Sequence, residues 1–437
     1  MTVRLAIAAA KSPVCALLLG AAGALAGPYS APWGDPSNPH DAPVPGFVGP
    51  HGDGRARVLQ SGGVYANPDN FVNPLFAGWA SGVADYAPAP GVGASWADPA
   101  NALGPVTGDN FHIVSLGDLN ATQIAGGIAP GAITLTFDQP IRDRHGADFV
   151  CFENGLISAG GAGVANQILA ELARVEVSSD GVNFARIPSR SLTPAPVGTF
   201  GTIDASNVFG LAGKHVNAYG ESWGTPFDLA WLAADPLVTS GLVDLDAITH
   251  VRLVDIPGNG AFADSQASPI HDAWLTMDSS GHDLEAVGVI SHDLAFETWQ
   301  DRHGLLGEER GGAADQDRDG LPNLIEYAAG LMPRAPEPAS SWQAASVAGR
   351  VLSLRCQRDE RATDLVLEVE ASRDLRGWEV IARSIGGAPF AAVAPHAPGI
   401  TETAAHPVAS VGVLRAATIT DTSGAMRFMR LRVHTLP

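Results

Sequence analysis

Twelve consecutive residues concentrate side chains suited to holding a hard cation: Asp315-Gln316-Asp317-Arg318-Asp319-Gly320-Leu321-Pro322-Asn323-Leu324-Ile325-Glu326. Counted from Asp315, carboxylates fall at positions 1, 3, 5 and 12, glycine at 6 and an amide oxygen at 9. A cation of calcium's size takes about six to eight oxygens at roughly 2.3–2.6 Å, and alternate residues of a tightly curled loop can turn several oxygens inward. Gly320 permits the left-handed backbone that reverses such a loop. On this reading Asp315, Asp317 and Asp319 supply side-chain oxygens and Leu321 its carbonyl. Asn323 acts directly or through water, and Glu326 closes the shell from an exit helix. Magnesium favours a smaller shell that keeps several waters and fits less well.

The spacing is that of an EF-hand loop. The competing reading is an acidic surface loop of turn-forming residues. Against it stand six matched positions, helix signals on both sides and an expected address outside the cytoplasm. Extracellular calcium modules bind at about 10⁻⁴–10⁻³ M, so a structural ion joining two β domains is expected rather than a sensor.

Other chemistry is weaker. Gly220-Glu221-Ser222-Trp223-Gly224 fits GxSxG, but a nucleophile elbow needs a strand before and a helix after, and Tyr219 and Thr225-Pro226 predict a loop. No catalytic residue is assigned. Glu153, Asp255, Asp272, Asp283 and Glu285 lie near expected strand ends, where a second cation or a polar ligand could sit. The favoured expectation is edge-strand charge that discourages aggregation. The 13 histidines show no HExxH or paired spacing. Trp79, Trp96 and Trp223 lie among loops, as platforms for sugar faces or as buried plugs.

The elements that must position these residues are mostly strands. Of 437 residues, 50 are Gly and 32 Pro, which excludes a coiled coil or a mainly helical bundle. The 46 acidic residues outnumber 26 basic ones, and a net charge of −20 repels a phosphate backbone, so nucleic acid is not an expected partner. The only lysines are Lys11 and Lys214, a bias that charge physics does not require.

Residues 1–26 read as an export signal: Arg4 and Lys11 form a positive start, an apolar run spans 14–25, and Ala24-Leu25-Ala26 suits cleavage before Gly27. Cys15 leaves with that segment. Losing two cations and no anions leaves a charge of −22, with no later stretch approaching the ~20 apolar residues of a membrane span. The mature chain is therefore expected to lack a transmembrane segment and to reach the cell surface, the medium or the periplasm. Cys151 and Cys356 read as buried free thiols.

Residues 27–55 show no periodicity and read as a flexible leader. Alternation in 132–137, 174–178, 184–187, 250–255 and 283–290 predicts a large β domain over 56–291, with one local helix at 166–172. Short strands between long Gly/Pro-bearing loops indicate a jelly-roll-type β-sandwich. Helical rhythm in 293–303 and 322–329 frames the acidic loop in a module over 292–333. A linker at 334–345 precedes a smaller C-terminal β domain over 346–437, with strands at 351–355, 365–371, 379–382 and 427–433. An internal echo joins the domains: Val175-Glu176-Val177-Ser178-Ser179-Asp180 with Phe184, and Val369-Glu370-Ala371-Ser372-Arg373-Asp374 with Trp378.

Phe296-Glu297-Thr298-Trp299, the acidic loop, and Leu321-Pro322-Asn323-Leu324-Ile325-Glu326-Tyr327-Ala328-Ala329-Gly330-Leu331-Met332-Pro333 are similar to thrombospondin type 3-like or dockerin-like calcium modules of bacterial surface proteins. That resemblance covers about 140 residues with the β segments that follow. Over about 200 residues the larger domain resembles the bacterial "cell surface protein" group found with PEP-CTERM-type sorting signals. The stretches that carry this are Ala100-Asn101-Ala102-Leu103-Gly104, Val114-Ser115-Leu116-Gly117-Asp118, Ala147-Asp148-Phe149-Val150-Cys151-Phe152-Glu153-Asn154-Gly155, Phe209-Gly210-Leu211-Ala212-Gly213-Lys214 and Asp283-Leu284-Glu285-Ala286-Val287-Gly288. The sorting tail of that group is not found at His434-Thr435-Leu436-Pro437. The hairpin at 175–184 resembles galactose-binding-like jelly rolls, whose end loops bind ligand. Together these imply an exported, non-catalytic surface or secreted protein with structural calcium, binding an extracellular glycan or polymer. The alternatives are capture of a small nutrient for an outer-membrane transporter and, behind it, polysaccharide hydrolysis.

Overall fold

The computed structural model describes residues 27–32, 41–49, 57–60, 63–66, 70–161, 163–218, 222–338, 342–348, 351–405, 413–426 and 428–436. The expected export signal, 1–26, lies outside the described residues. The chain is mainly β, with 36% strand against 12% helix.

Two antiparallel sheets build the larger part. One orders Val44–Pro45, Trp223–Phe227, Phe149–Glu153, Asp283–Val289 and Gly78–Trp79, with Val114–Ser115 also paired to Asp283–Val289. The other orders Ala185–Arg186, Ala173–Ser178, Ile248–Asp255, Ala132–Ile141 and Gly82–Ala87. Strand alternation turns Phe149, Cys151, Val287 and Val289 of the first sheet, and Leu135, Val175, Val251 and Leu253 of the second, into one buried cluster. The opposite face of the first sheet is covered too, by Val44, Phe47, Phe76 and Val106 against Val150, Phe152 and Ala286. Both long strands of that sheet are consequently buried throughout.

Two expectations fail in this part. The described portion of 27–55 is not a loose leader: Val44 and Pro45 pair with Gly224 and Trp223, and Val44 is 1% exposed. No periodicity marked it because it packs through single residues rather than a repeating face. No helix forms at 166–172. Asn166 adopts φ +67°, and Ile168–Leu169 returns as a strand against Leu156–Ile157. Single polar and Gly-bearing turns outcompeted a helix too short to stand alone.

The C-terminal strands form two four-stranded antiparallel sheets, one of 343–348, 351–359, 414–420 and 399–404, the other of 391–392, 379–385, 365–372 and 428–435. Helices Phe296–Arg302 and Asn323–Ala329 pack against these sheets. Trp299 and Tyr327 sit in the same buried cluster as Leu354, Val369 and Ile419 of these sheets. The Tyr327 hydroxyl lies between the Leu294 carbonyl and Asp364 Oδ1.

The internal echo is structural. In each hairpin a serine hydroxyl and then an aspartate carboxylate accept backbone N–H groups across the turn, Ser178 and Asp180 in one, Ser372 and Asp374 in the other. In each, the glutamate faces an arginine on the paired strand, Glu176 to Arg252 and Glu370 to Arg430. Those guanidinium groups lie 3.7 Å over Phe184 and 4.0 Å over Trp378.

Candidate cation site

The acidic loop is closed by its own backbone. Asn323 N–H donates to Ala314 O at 2.8 Å and Leu324 N–H to Gly312 O at 3.0 Å, so the ends of the loop meet at the start of the second helix. Within it, Asp315 accepts from Arg318 N–H at 2.7 Å and Gly320 N–H at 3.0 Å, Asp317 from Asp319 N–H at 3.2 Å, and Asp319 from Leu321 N–H at 2.8 Å. Gly320 takes φ +94°, the left-handed turn for which glycine is suited, and Arg318 shares that region at φ +64°. The helix ends at Gly330, also left-handed at φ +65°.

These turns fold Asp315, Asp317 and Asp319 until one oxygen of each lies within 4.8 Å of the others. Such a group can hold a metal ion. Glu326 arrives from the first turn of the helix, 1% exposed, and neither of its carboxylate oxygens has a hydrogen-bond partner. Burial, then the charges of Asp317, Asp319, Glu337 and Asp315, pushes the Glu326 carboxyl up to about 8. Burial and the neighbouring aspartates also raise Asp317, whose Oδ2 is enclosed and unpartnered.

Leu321 places its side chain with Ala329, Leu331 and Trp342, a role its position in the loop did not disclose. Asn323 is fully buried, and its Nδ2 donates to Glu309 O at 2.7 Å and Gly311 O at 3.0 Å. The amide therefore braces the turn before the loop and leaves Oδ1 unbonded.

Glu337 was missed. It follows the helix in the expected linker, its N–H donates to Asp319 Oδ2 at 2.8 Å, and its Oε2 is enclosed without a partner. Burial pushes its carboxyl up to about 7, with Asp319 and Asp317 adding to the rise. The available signal was a lone acid held between Pro336 and Pro338, directly after the motif.

The carboxylates expected to charge strand edges are instead interior. Glu153, Asp255, Asp272 and Asp283 are each 1% exposed and Glu285 2%. Burial pushes Asp283 and Glu285 up to about 7. Glu285 Oε1 accepts from Thr107 N–H, Thr107 Oγ and Gly108 N–H at 2.6–2.7 Å. A second compact group, Asp143, Asp148 and Asp228, is occupied differently, since both Asp148 oxygens accept backbone N–H groups of Arg144 and Leu229.

Ser222 is fully buried and immediately precedes the strand Trp223–Phe227, so a strand follows it where an elbow needs a helix. Trp79 is packed 4.7 Å from Phe76 and 6.0 Å from Phe152, and Trp223 pairs with Pro45. Trp96 differs: it stacks 6.0 Å from Phe111, which is 57% exposed. Among the described residues no helix is long and apolar enough to cross a membrane. Comparison with known protein families matched none, and comparison with characterised proteins found no relative.

Proposed function

We propose that this chain is an exported surface or secreted protein whose C-terminal unit is held by a calcium ion in the loop 315–326, and whose larger, jelly-roll-like β domain binds an extracellular glycan or polymer. The observation that carries the calcium reading is the enclosed Glu326 carboxylate, both oxygens unpartnered, facing the field of Asp315, Asp317 and Asp319. An all-oxygen donor set of carboxylates suits a hard cation, and the spacing suits one of calcium's size. Glu337 joins the shell from beyond the motif and ties the following chain to the loop. Glu337→Gln is expected to weaken calcium binding about tenfold, the lower end of the effect of such supporting groups. Calorimetric titration of the full chain measures this, and an unchanged affinity would remove Glu337 from the site.

The glycan reading rests on the half-buried Trp96 stacked against the exposed Phe111. Flat aromatic faces beside polar loops bind sugar rings through their apolar faces. Asp278 Oδ2 accepts from Trp96 Nε1 at 3.2 Å and fixes the indole. On a glycan array with calcium present, the chain should bind a polysaccharide and Trp96→Ala should lose at least about tenfold of that affinity. Array signal at background in both proteins would sink this reading and leave surface capture of a small nutrient as the alternative.

A further inference from the structure

At one end of the larger sandwich, inward-facing positions change from hydrocarbon to carboxylate. Glu153 continues the side of Phe149 and Cys151, and Asp255 that of Val251 and Leu253; a register shift opposite Phe152 and Glu153 puts Leu284 on the inner side with Val287 and Val289, and Asp283 begins that strand beside it. The ladders bring these strand ends together. Glu153 lies opposite Leu284, Asp255 opposite Ala173 and Asp283 opposite Ser115, with Glu171 two residues before Ala173.

Each of these carboxylates has a fixed donor on one oxygen and, in three of them, nothing on the other. Gly155 N–H donates to Glu153 Oε2 and His282 N–H to Asp255 Oδ1, both at 2.8 Å, and Ser115 Oγ donates to Asp283 Oδ1. Glu153 Oε1, Glu171 Oε1 and Asp255 Oδ2 are enclosed with no partner. A neutral group agrees: Asn217, 2% exposed and hydrogen-bonded through its N–H to Gly155 O, also leaves Oδ1 unpartnered. The buried Lys and Arg side chains of the described residues are engaged elsewhere, Lys214 with Asp41, Arg358 with Glu402 and Arg361 with Asp359. Buried carboxylates lacking a counter-charge are among the costliest arrangements in a protein interior, and here several converge.

We propose that this end of the sandwich is a second cation site, holding a hard divalent ion of calcium's size between Glu171 and Asp283 with Glu153 and Asp255 flanking. Asp283 begins the strand that pairs with Phe149–Glu153 on one side and Val114–Ser115 on the other, which places it between their ends. No three of these carboxylates bring oxygens within the 4.8 Å found at Asp315, Asp317 and Asp319. The shell is accordingly two carboxylates completed by neutral oxygens, for which the Ser279 hydroxyl beside Asp283 and the Asn217 amide are suited. The site ties together strands from both sheets where hydrophobic packing ends.

The test uses the full chain with its loop silenced by Asp315→Asn and Glu326→Gln, stripped with EDTA and dialysed against calcium alone. One calcium per chain is expected to remain, and adding Glu171→Gln with Asp283→Asn should abolish it. A loop-silenced chain that binds no calcium overturns the proposal, because the carboxylates then share protons instead. Where the fourfold variant does not fold, terbium replaces calcium in the loop-silenced chain. Tyr86 donates to Ser115 O at 2.7 Å and lies beside the site, so sensitised terbium emission is expected and should fall severalfold in Tyr86→Phe. Emission indifferent to Tyr86→Phe counts against the site. The inference stands apart from the loop reading: unaltered chain and loop-silenced chain each binding one calcium would refute the loop and support this site.

Discussion

Chelating calcium lowers the melting temperature of the intact chain, and the loss widens as pH rises from 5 to 8. The cause is the Glu326 carboxyl, pushed up to about 8, with Glu337 pushed up to about 7. A carboxyl whose folded pKa lies above its unfolded value contributes stability that is full below the unfolded pKa, near 4.3, and is lost as pH climbs through the folded value. Without a cation, both groups must therefore hold protons to stay buried, and they become a liability between about pH 5 and 8. Calcium takes the place of those protons, so its binding releases protons and strengthens with pH. At calcium about 100-fold above its dissociation constant the gain is about 2.7 kcal/mol, or roughly 5–10 °C for a unit of this size. Glu326→Gln removes the main titrating group of the loop, and the fall in melting temperature of its chelated protein from pH 5 to 8 should be smaller than in the parent, with Glu337, Asp283 and Glu285 supplying what remains. Calorimetry at pH 5, 6, 7 and 8 with EDTA or calcium reads both effects. Superimposed curves at every pH would sink the calcium loop.

Replacing Lys214 by alanine is expected to cost about 3–5 kcal/mol, the penalty of leaving a buried charge without its partner. Lys214 and Asp41 have side chains 0% and 1% exposed, and the ammonium donates to Asp41 Oδ2 and, at 3.0 Å, to Ser30 Oγ. His215 Nε2 faces Asp41 O at 2.9 Å. This pair fastens the segment around Asp41 to the sandwich, with Val44 and Pro45 in the sheet beside it. Lys214→Ala should shift the urea midpoint downward and expose the segment to limited proteolysis near Asp41. Lys214→Met combined with Asp41→Leu removes both charges and should recover most of the stability. A single variant within about 0.5 kcal/mol of the parent would mean that the pair is not buried in solution.

Where the candidate site depended on neighbours in the chain, its geometry was legible. The turn that gathers Asp315, Asp317 and Asp319 is made from hydrogen bonds two to five residues apart, so spacing alone defined it. Strand alternation likewise located Val175, Val177, Val251 and Leu253 on one face. Glu337 escaped because it reaches the loop by a bond across 18 residues, through a segment with no motif.

The sequence by itself determined a β-rich chain, a cation-suited acidic loop between two helices, and a hairpin built twice on the same plan. Each follows from short-range rules, period-two alternation, turn chemistry and ligand spacing, which act before the chain packs. Only the tertiary structure decided the charge of the interior. Asp255 and Asp283 read as ordinary strand-end acids until both sheets closed over them, and Lys214 meets Asp41 across 173 residues. Desolvation and partnership turn a surface charge into a site or a staple, and both are set by residues that folding brings together from distant parts of the chain.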